Sequence, residues 1–141
     1  MIRIDFLGTG NAFTPSGRLH ALTLIDGKIL IDTPPTLITQ LRRKGLKTSE
    51  IEYLLFTHWH ADHTFGFPFF MLERKYISDP KREKDLKIYL RPGGKEKISN
   101  LCNIGFPGSL EDVEKMAHWH EEEMCELAGT NWSFERFPVC H

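Results

Sequence analysis

The sequence lacks several features that would assign it to a specialised class. No run of roughly 18 apolar residues occurs, so no membrane-spanning helix is predicted. The formal net charge is only -1, and bulk charge therefore gives no support for nucleic-acid binding. The three cysteines are far apart and form no CxxC pair, which predicts neither a disulfide framework nor a cysteine metal site. The start, "MIRIDFLG", has no basic segment followed by an apolar one, so we expect no secretory signal and a cytoplasmic protein.

The composition is that of an ordinary globular domain. The 141 residues are 40% hydrophobic and 26% charged, which predicts a single domain over residues 1–141. Strand and helix patterns alternate along the chain, and this alternation is typical of a layered α/β domain. The first half predicts a strand ending at Gly8, a hairpin with an Asp26-Gly27 turn of type I′, a helix ending at Gly45 and a buried strand in "IEYLLFTH".

The second half predicts three helices, one strand and a closing hairpin. The helices are expected in "GFPFFMLERKYI", in "GGKEKISNLCNIGF" and in "GSLEDVEKMAHWHEEEM", the last with Ser109 as its N-cap. The strand is "LKIYL". The hairpin covers the last 17 residues, with its turn near Gly129.

The hexad "HWHADH" at residues 58–63 contains three histidines and one aspartate, the densest group of possible metal ligands in the sequence. It follows the predicted buried strand, and residues two apart on an extended backbone point to the same side, so His58 and His60 can converge on one ion. The chain then turns, which lets Asp62 and His63 face a neighbouring point at the start of the next helix. Imidazole and carboxylate ligands suit Zn²⁺ or Fe, and Mn²⁺ less strongly.

A second "HWH", at residues 118–120, belongs to a predicted helix and fails the same geometric test. Residues two apart on a helix are about 200° from each other, so His118 and His120 could not share an ion. His118 and Glu122 have a spacing that suits either chelation or an ordinary ion pair. We interpret this segment as unrelated to the metal site.

His141 ends the extended segment "FERFPVCH", as His58 ends "YLLFTH". A third ligand from another strand end would complete a zinc site with three protein ligands and an open fourth position. We therefore include His141 in the predicted site. The segment "GTGNAF" is not a dinucleotide motif, because Phe13 stands where the third glycine would be required.

These segments resemble the metallo-β-lactamase superfamily, whose hallmark is HxHxDH. "THWHADHTFG" matches this hallmark, "ILIDT" is similar to the strand that ends in the family's buried aspartate, and "FPVCH" is similar to the strand end with the third histidine. The opening "FLGTGNAFTPSGR" resembles the ribonuclease Z-like branch, which includes tRNA 3′-end processing enzymes and phosphodiesterases. Members of that branch often have glycine where this chain has Ala61.

The resemblance implies an αββα sandwich of which this chain forms the first half. It implies that His58, His60 and His141 hold one ion, that Asp62 and His63 hold a second, and that Asp32 hydrogen-bonds near the hexad without binding metal. A metal-activated water would attack phosphorus or a carbonyl carbon, with Asp62 handling the proton. Two zinc ions are expected in a complete domain, with Mn²⁺ or Fe as alternatives.

Several alternatives stay open at this level. The family's second half supplies a bridging aspartate and a final histidine that this sequence does not contain, so the chain is either a fragment of a longer enzyme or a short protein that borrows the rest from a partner. We expect a homo-oligomer or completion by a C-terminal half. The leading function is a phosphodiesterase or ribonuclease Z-like hydrolase, with RNA among its substrates. The alternatives are hydrolysis of a thioester, lactone or other ester, and a non-catalytic half-domain.

Overall fold

The computed structural model describes residues 1–140. Eight strands form a six-stranded sheet and a separate two-stranded hairpin, and four α-helices connect the parallel part of the sheet. The strands are β1 Ile4–Gly8, β2 Leu22–Ile25, β3 Ile29–Ile31, β4 Tyr53–Leu55, β5 Lys87–Leu90, β6 His118–Glu121, β7 Met124–Glu126 and β8 Ser133–Glu135. The helices are α1 Leu37–Lys44, α2 Ala61–Thr64, α3 Phe67–Glu73 and α4 Gly94–Gly105, with a π-helical turn at Arg74–Ser78 and 3₁₀ turns at Pro15–Gly17, Thr48–Glu50 and Val113–Lys115.

The predicted hairpin forms with the expected turn. Asp26 and Gly27 both have positive φ, at 51° and 71°, and the Lys28 N–H donates to the Ile25 carbonyl at 3.1 Å. Positive φ at both central residues is the requirement of a type I′ turn, whose twist matches that of paired strands. The helix prediction for residues after Pro35 is also confirmed, since α1 ends at Gly45 with φ 79°.

The sheet changes from antiparallel to parallel at β3. The strand order is β1-β2-β3-β4-β5-β6, and β3, β4, β5 and β6 all run parallel. Helices provide the crossover connections, as parallel strands require. The carboxyl ends of these four strands therefore meet at one edge of the sheet, and the residues that follow each strand are brought together there.

Apolar side chains cover both faces of the sheet. One face packs against the helices in a core that includes Leu24, Leu54, Phe67, Ile88 and Ile98. On the opposite face the β7–β8 hairpin covers the centre of the sheet, where Ile29, Tyr53, Leu55 and Tyr89 pack with Leu127. One helical layer, one full sheet and the beginning of a second strand layer correspond to the first half of the predicted sandwich.

The hairpin leaves the β1 end of this second face uncovered. Ile4 pairs with Ile25, which belongs to the hairpin-side cluster, so the side chains of Ile4 and Phe6 point to that side. Ile4 is 51% exposed and Phe6 is 71% exposed. Contiguous exposed apolar side chains of this kind mark an interaction surface.

The helix predicted in residues 108–124, with Ser109 as its N-cap, is wrong. Residues 109–117 form turns and one 3₁₀ segment, and β6 pairs in parallel register with β5. Trp119 packs against Phe67 with ring centroids 6.0 Å apart and donates its indole N–H to the Glu114 carbonyl. Strand pairing with β5 and partial burial of this indole therefore override the local helix pattern. Among residues 1–140, no helix combines the length and apolar character needed to cross a membrane.

Candidate metal centre

The hexad lies at the carboxyl end of β4, as predicted. His58 and His60 have ring centroids 4.7 Å apart, and His58 and His63 have centroids 4.2 Å apart. Asp62 and His63 belong to the short helix α2, which begins directly after His60. The structure therefore brings the three histidines of the hexad into one cluster, with Asp62 beside it.

The buried carboxylate of Asp32 holds this cluster in place through hydrogen bonds. It follows β3, is only 4% exposed, and has a positive φ of 69° that aspartate tolerates better than most residues. Its carboxylate accepts hydrogen bonds from the Thr57 N–H at 2.7 Å and the Thr57 hydroxyl at 2.6 Å, and lies 2.8 Å from His63 Nδ1. An ionised carboxylate only accepts hydrogen bonds, so His63 Nδ1 carries the proton. In the neutral imidazole, Nε2 then has the free lone pair.

The Thr57 hydroxyl also determines which ring nitrogen of His58 carries the proton. Because its single hydroxyl proton is donated to Asp32, the Thr57 oxygen must accept from His58 Nδ1, which lies 2.9 Å away. His58 is then also protonated at Nδ1, and its lone pair lies on Nε2, the nitrogen through which the predicted metal contact would be made. A hydrogen bond from the second ring nitrogen commonly orients histidine ligands of metals.

The hydrogen bond with Asp32 also affects the charge of His63. It raises the pKa of His63 above the ordinary value, and the nearby carboxylate charges act in the same direction, while burial opposes them. The imidazole is therefore held firmly by a buried negative charge. Metal binding in competition with protons becomes harder at low pH, because the ligand must be neutral.

Asp62 and His63 have the separation of two ligands of one ion. His63 Nε2 and Asp62 Oδ2 are 3.3 Å apart, and ligands at zinc–ligand distances of about 2.0–2.1 Å in a tetrahedron are about 3.3–3.4 Å apart. Imidazole nitrogen and carboxylate oxygen are also the donor types that zinc takes. Within residues 1–140, no group of three histidine, cysteine, aspartate or glutamate side chains is arranged to hold an ion. Among the described residues, Asp62 and His63 have the separation of two ligands, and the rings of His58, His60 and His63 form a cluster. The predicted ligand His141 lies outside the described residues.

The segment that leads towards the C-terminus is anchored beside the hexad. Arg136 donates to the carbonyls of Phe56 at 2.7 Å and Tyr89 at 2.9 Å, and also to that of Glu122. Its guanidinium lies 4.5 Å from the centre of the Phe134 ring. Because Phe56 and Tyr89 lie at the ends of neighbouring strands, Arg136 fastens the residues after β8 to the sheet edge that carries the hexad.

A cavity of about 730 Å³ opens between this segment and the hexad. Its walls are largely apolar, which lowers the local dielectric constant and strengthens charge interactions inside it. The lining includes the three hexad histidines, Thr57, Arg91, Arg136, and apolar residues of β3, β4 and the segment 134–139. A site of this volume, with a few polar groups among apolar walls, suits a small ligand or one end of a larger one.

Trp59 holds the hexad loop against α4. A Cβ atom built on Gly94 would lie 2.3 Å from the Trp59 ring, and the Lys97 ammonium lies 5.4 Å from the centre of the same ring. Only glycine at the first turn of α4 leaves room for the indole. The glycines of "GTGNAF" have a similar steric role, because a Cβ on Gly8 would lie 2.1 Å from the His20 carbonyl oxygen.

The second "HWH" lies on a strand, which corrects the geometric reasoning about it. In β6, His118 and His120 point to the same face, so a helical separation does not keep them apart. They nevertheless contact different partners. His120 stacks on Tyr89 with centroids 4.7 Å apart, and His118 lies 3.9 Å from Asp85.

Three polar residues near the site were not identified from the sequence. Thr57 precedes the hexad, and its hydroxyl could have been noticed as the neighbour of His58. Arg91 directly follows the predicted strand "LKIYL", so its strand-end position was readable. Arg136 has no comparable signal, because its partners are backbone carbonyls distant in sequence.

Comparison with known protein families identifies the family of this chain. The sequence model of the family described as anti-Pycsar protein Apyc1 matches residues 2–141. The chain belongs to this family. Ribonuclease Z of Pyrococcus abyssi is 32% identical over 116 residues, which cover 80% of this chain and 37% of the relative. Ribonuclease Z of Methanocaldococcus jannaschii is 30% identical, and the match covers all of this chain and 44% of the relative.

A solved structure agrees with this kinship. Human tRNase Z, short form, is 25% identical with a TM-score of 0.64, over 86% of this chain and 45% of that structure. The predicted membership of the metallo-β-lactamase superfamily and its ribonuclease Z-like branch is thus confirmed, as is the fold. The chain spans less than half the length of the curated relatives it matches.

Proposed function

We propose that this chain forms the metal-binding part of a metal-dependent hydrolase that cleaves phosphodiester bonds, with RNA among its substrates. The observation that carries the proposal is the arrangement around Asp32. One buried carboxylate accepts a hydrogen bond from Nδ1 of His63 and, through Thr57, keeps the proton of His58 on Nδ1, so that the lone pair of each ring lies on Nε2. The names of the ribonuclease Z relatives support the choice of a phosphodiester.

The proposed ligands divide between two ions. His58, His60 and His141 hold the first ion, and Asp62 with His63 contributes to the second; zinc suits these donors best, with Mn²⁺ or Fe as alternatives. When bound, such ions supply Lewis acidity that makes water more acidic and polarises a phosphoryl oxygen. Asp62 accepts a proton from the attacking water at its carboxylate in this proposal, and its position 3.3 Å from His63 Nε2 supports that role.

The exposed face at β1 supports an incomplete site. Ile4 and Phe6 are more than half exposed on the face where the hairpin begins a second layer, and the matched relatives are more than twice as long as the matched region. We propose that a C-terminal half, or a second copy of the chain, covers this face. The same partner would supply the ligands that complete the second ion's coordination.

The test combines metal analysis with hydrolysis by the full protein that carries residues 1–141. Wild type should bind zinc and hydrolyse bis(p-nitrophenyl) phosphate, whereas Asp62→Asn should retain the fold and lose at least about 100-fold in kcat, as expected for a group that transfers a proton. Thr130→Ala, on the distant hairpin turn, is the matched control. Turnover of thioester, lactone or carboxylic ester substrates alone would replace the phosphodiester assignment, and tight metal binding without any turnover would favour a non-catalytic role.

A further inference from the structure

Arg91 occupies a position from which it can reach a bound substrate. It directly follows β5, the parallel neighbour of β4, and so lies at the same sheet edge as the hexad. It lines the 730 Å³ cavity together with His58, His60 and His63. A cation is therefore placed on the wall of the cavity that contains the proposed metal ligands.

The hydrogen bonds of Arg91 are incomplete, in contrast to those of two other arginines. Arg74 donates to four backbone carbonyls, and Arg136 donates to three. The Nε of Arg91 is buried, yet it meets no hydrogen-bond acceptor among residues 1–140. A buried N–H without an acceptor costs free energy, and in native structures such a group calls for an explanation.

The carboxylate beside Arg91 is a weak structural partner. Glu123 Oε2 lies 3.5 Å from Arg91 Nε, outside hydrogen-bond geometry, and the Glu123 side chain is 53% exposed. Exposed ion pairs of this type contribute little to stability. Burial lowers the pKa of Arg136, and the positive charge of nearby Arg91, which repels that of Arg136, acts in the same direction. An anion bound in the cavity at the exposed part of the Arg91 side chain, which is 33% exposed, would relieve this repulsion.

We propose that Arg91 binds the anionic phosphoryl oxygens of the substrate in this cavity and selects phosphodiesters over neutral esters. The inference rests on the proposed hydrolase function and names the residue that recognises the charge of its substrate. A planar guanidinium matches two phosphoryl oxygens at once, and its hydrogen bonds are strong because both partners are charged. The apolar walls of the cavity increase the discrimination between a charged and a neutral ligand.

The first experiment measures anion binding without turnover, in the full protein that carries residues 1–141, with and without added Zn²⁺. Dimethyl phosphate is the probe, and trimethyl phosphate is its neutral match in shape. Dimethyl phosphate should shift the Arg91 Nε–Hε resonance in NMR spectra and trimethyl phosphate should not. Arg91→Met should raise the Kd for dimethyl phosphate about 10- to 100-fold, while Arg18→Met, in an exposed loop, should leave it unchanged.

Two further variants keep the inference testable if Arg91→Met does not fold. Glu123→Gln removes the competing carboxylate, so the Kd for dimethyl phosphate should fall, whereas a purely structural Arg91–Glu123 pair predicts no gain in affinity. Arg91→Lys retains the charge but not the paired donors, so its Kd should lie between those of wild type and Arg91→Met. A silent Arg91 resonance, or an unchanged Kd in both Arg91→Met and Glu123→Gln, would overturn the proposal.

Kinetics separate this inference from the proposed function. If phosphodiesters are hydrolysed, Arg91→Met should raise KM for bis(p-nitrophenyl) phosphate about tenfold or more and leave KM for p-nitrophenyl acetate, if that ester is a substrate, unchanged. Hydrolysis with an unchanged KM in Arg91→Met would reject the role of Arg91 and leave the hydrolase function standing. Anion binding that requires Arg91, in a protein without phosphodiesterase activity, would do the reverse.

Discussion

Replacing Thr57 by valine isolates the hydroxyl that connects Asp32 with His58. Valine has nearly the same shape as threonine, so the change removes one donor and one acceptor without opening a cavity. The lost contacts are the 2.6 Å hydrogen bond to Asp32 Oδ2 and the 2.9 Å hydrogen bond from His58 Nδ1. The Thr57 N–H still donates to Asp32 Oδ1 at 2.7 Å, and the backbone should stay in place.

The expected loss of stability is modest and the expected loss of metal affinity is larger. A hydrogen bond to a charged group contributes about 1.5–3 kcal/mol, and Asp32 keeps its other partners, so the free energy of unfolding should fall by about 1–3 kcal/mol. Without the threonine oxygen, the His58 proton is able to move to Nε2, which would block the nitrogen proposed to bind the metal. Removal of a residue that orients a metal ligand typically costs about 10–100-fold in affinity.

Zinc competition with a chelator measures the affinity, and the ¹⁵N shifts of the imidazole nitrogens report the tautomer of His58. Thr57→Ser retains the hydroxyl and is the matched control, so it should restore both the Nδ1–H tautomer and most of the affinity. If Thr57→Val binds zinc as wild type does and His58 keeps its proton on Nδ1, the hydrogen-bond assignment around Asp32 is incorrect. Failure of serine to retain the affinity would show that the methyl group, which valine keeps, is also needed to hold the hydroxyl in place.

Four other predictions concern the same structure. Asp32→Asn keeps the positive φ but loses the buried charge, so zinc affinity should fall about 10–100-fold, measured by the same competition assay. Gly94→Ala should lower the free energy of unfolding by about 1–3 kcal/mol because Trp59 must shift, whereas Gly105→Ala, with its nearest atom at 3.5 Å, should change it little in a denaturant titration. Burial opposes ionisation of Asp112, but hydrogen bonds from two basic side chains lower its pKa to about 2. The ionised group therefore stabilises the fold above pH ~4, and this contribution is lost as the pH falls towards 2. Asp112→Asn should accordingly make the free energy of unfolding depend less on pH in an acid titration. A polypeptide of residues 1–141 alone should retain at most one firmly bound metal ion and show negligible hydrolysis of bis(p-nitrophenyl) phosphate, and two tightly held ions with robust turnover in a monomer would refute the idea of an incomplete site.

Local signals predicted the parts of the fold that depend on backbone regularity. The Asp26-Gly27 turn, the helix end at Gly45 and the buried strand before His58 each follow from residues adjacent in sequence, and each is present. The clustering of the hexad histidines follows for the same reason, because strand geometry and the next helix start determine their directions. Their metal-binding role stays a prediction.

The features that the sequence did not predict, strand β6 and the hydrogen bonds of Arg136, depend on tertiary contacts. Residues 109–121 contain a capping pattern and helix-forming residues, yet β5 needs a neighbour and the Trp119 indole needs burial, so the end of this segment becomes a strand. Helix propensity differs by less than about 1 kcal/mol per residue, and burial of one tryptophan outweighs several such differences. The hydrogen bonds of Arg136 are likewise invisible in sequence, since they join residues 14, 47 and 80 positions apart.

The closing hairpin explains why the two proposed metal positions should differ in completeness. At its turn end, the Tyr53 hydroxyl donates to the Ala128 carbonyl at 2.5 Å, and the Ala128 N–H donates to the Tyr89 hydroxyl at 3.4 Å. At its other end, Arg136 fastens the following segment to the carbonyls beside the hexad. The first sheet by itself therefore holds the segment that precedes the proposed third histidine, and we expect the first ion to depend on this chain alone. Asp62 and His63 have no such additional strand beside them among residues 1–140, so the second ion should be the one whose affinity rises when the exposed face at β1 is covered.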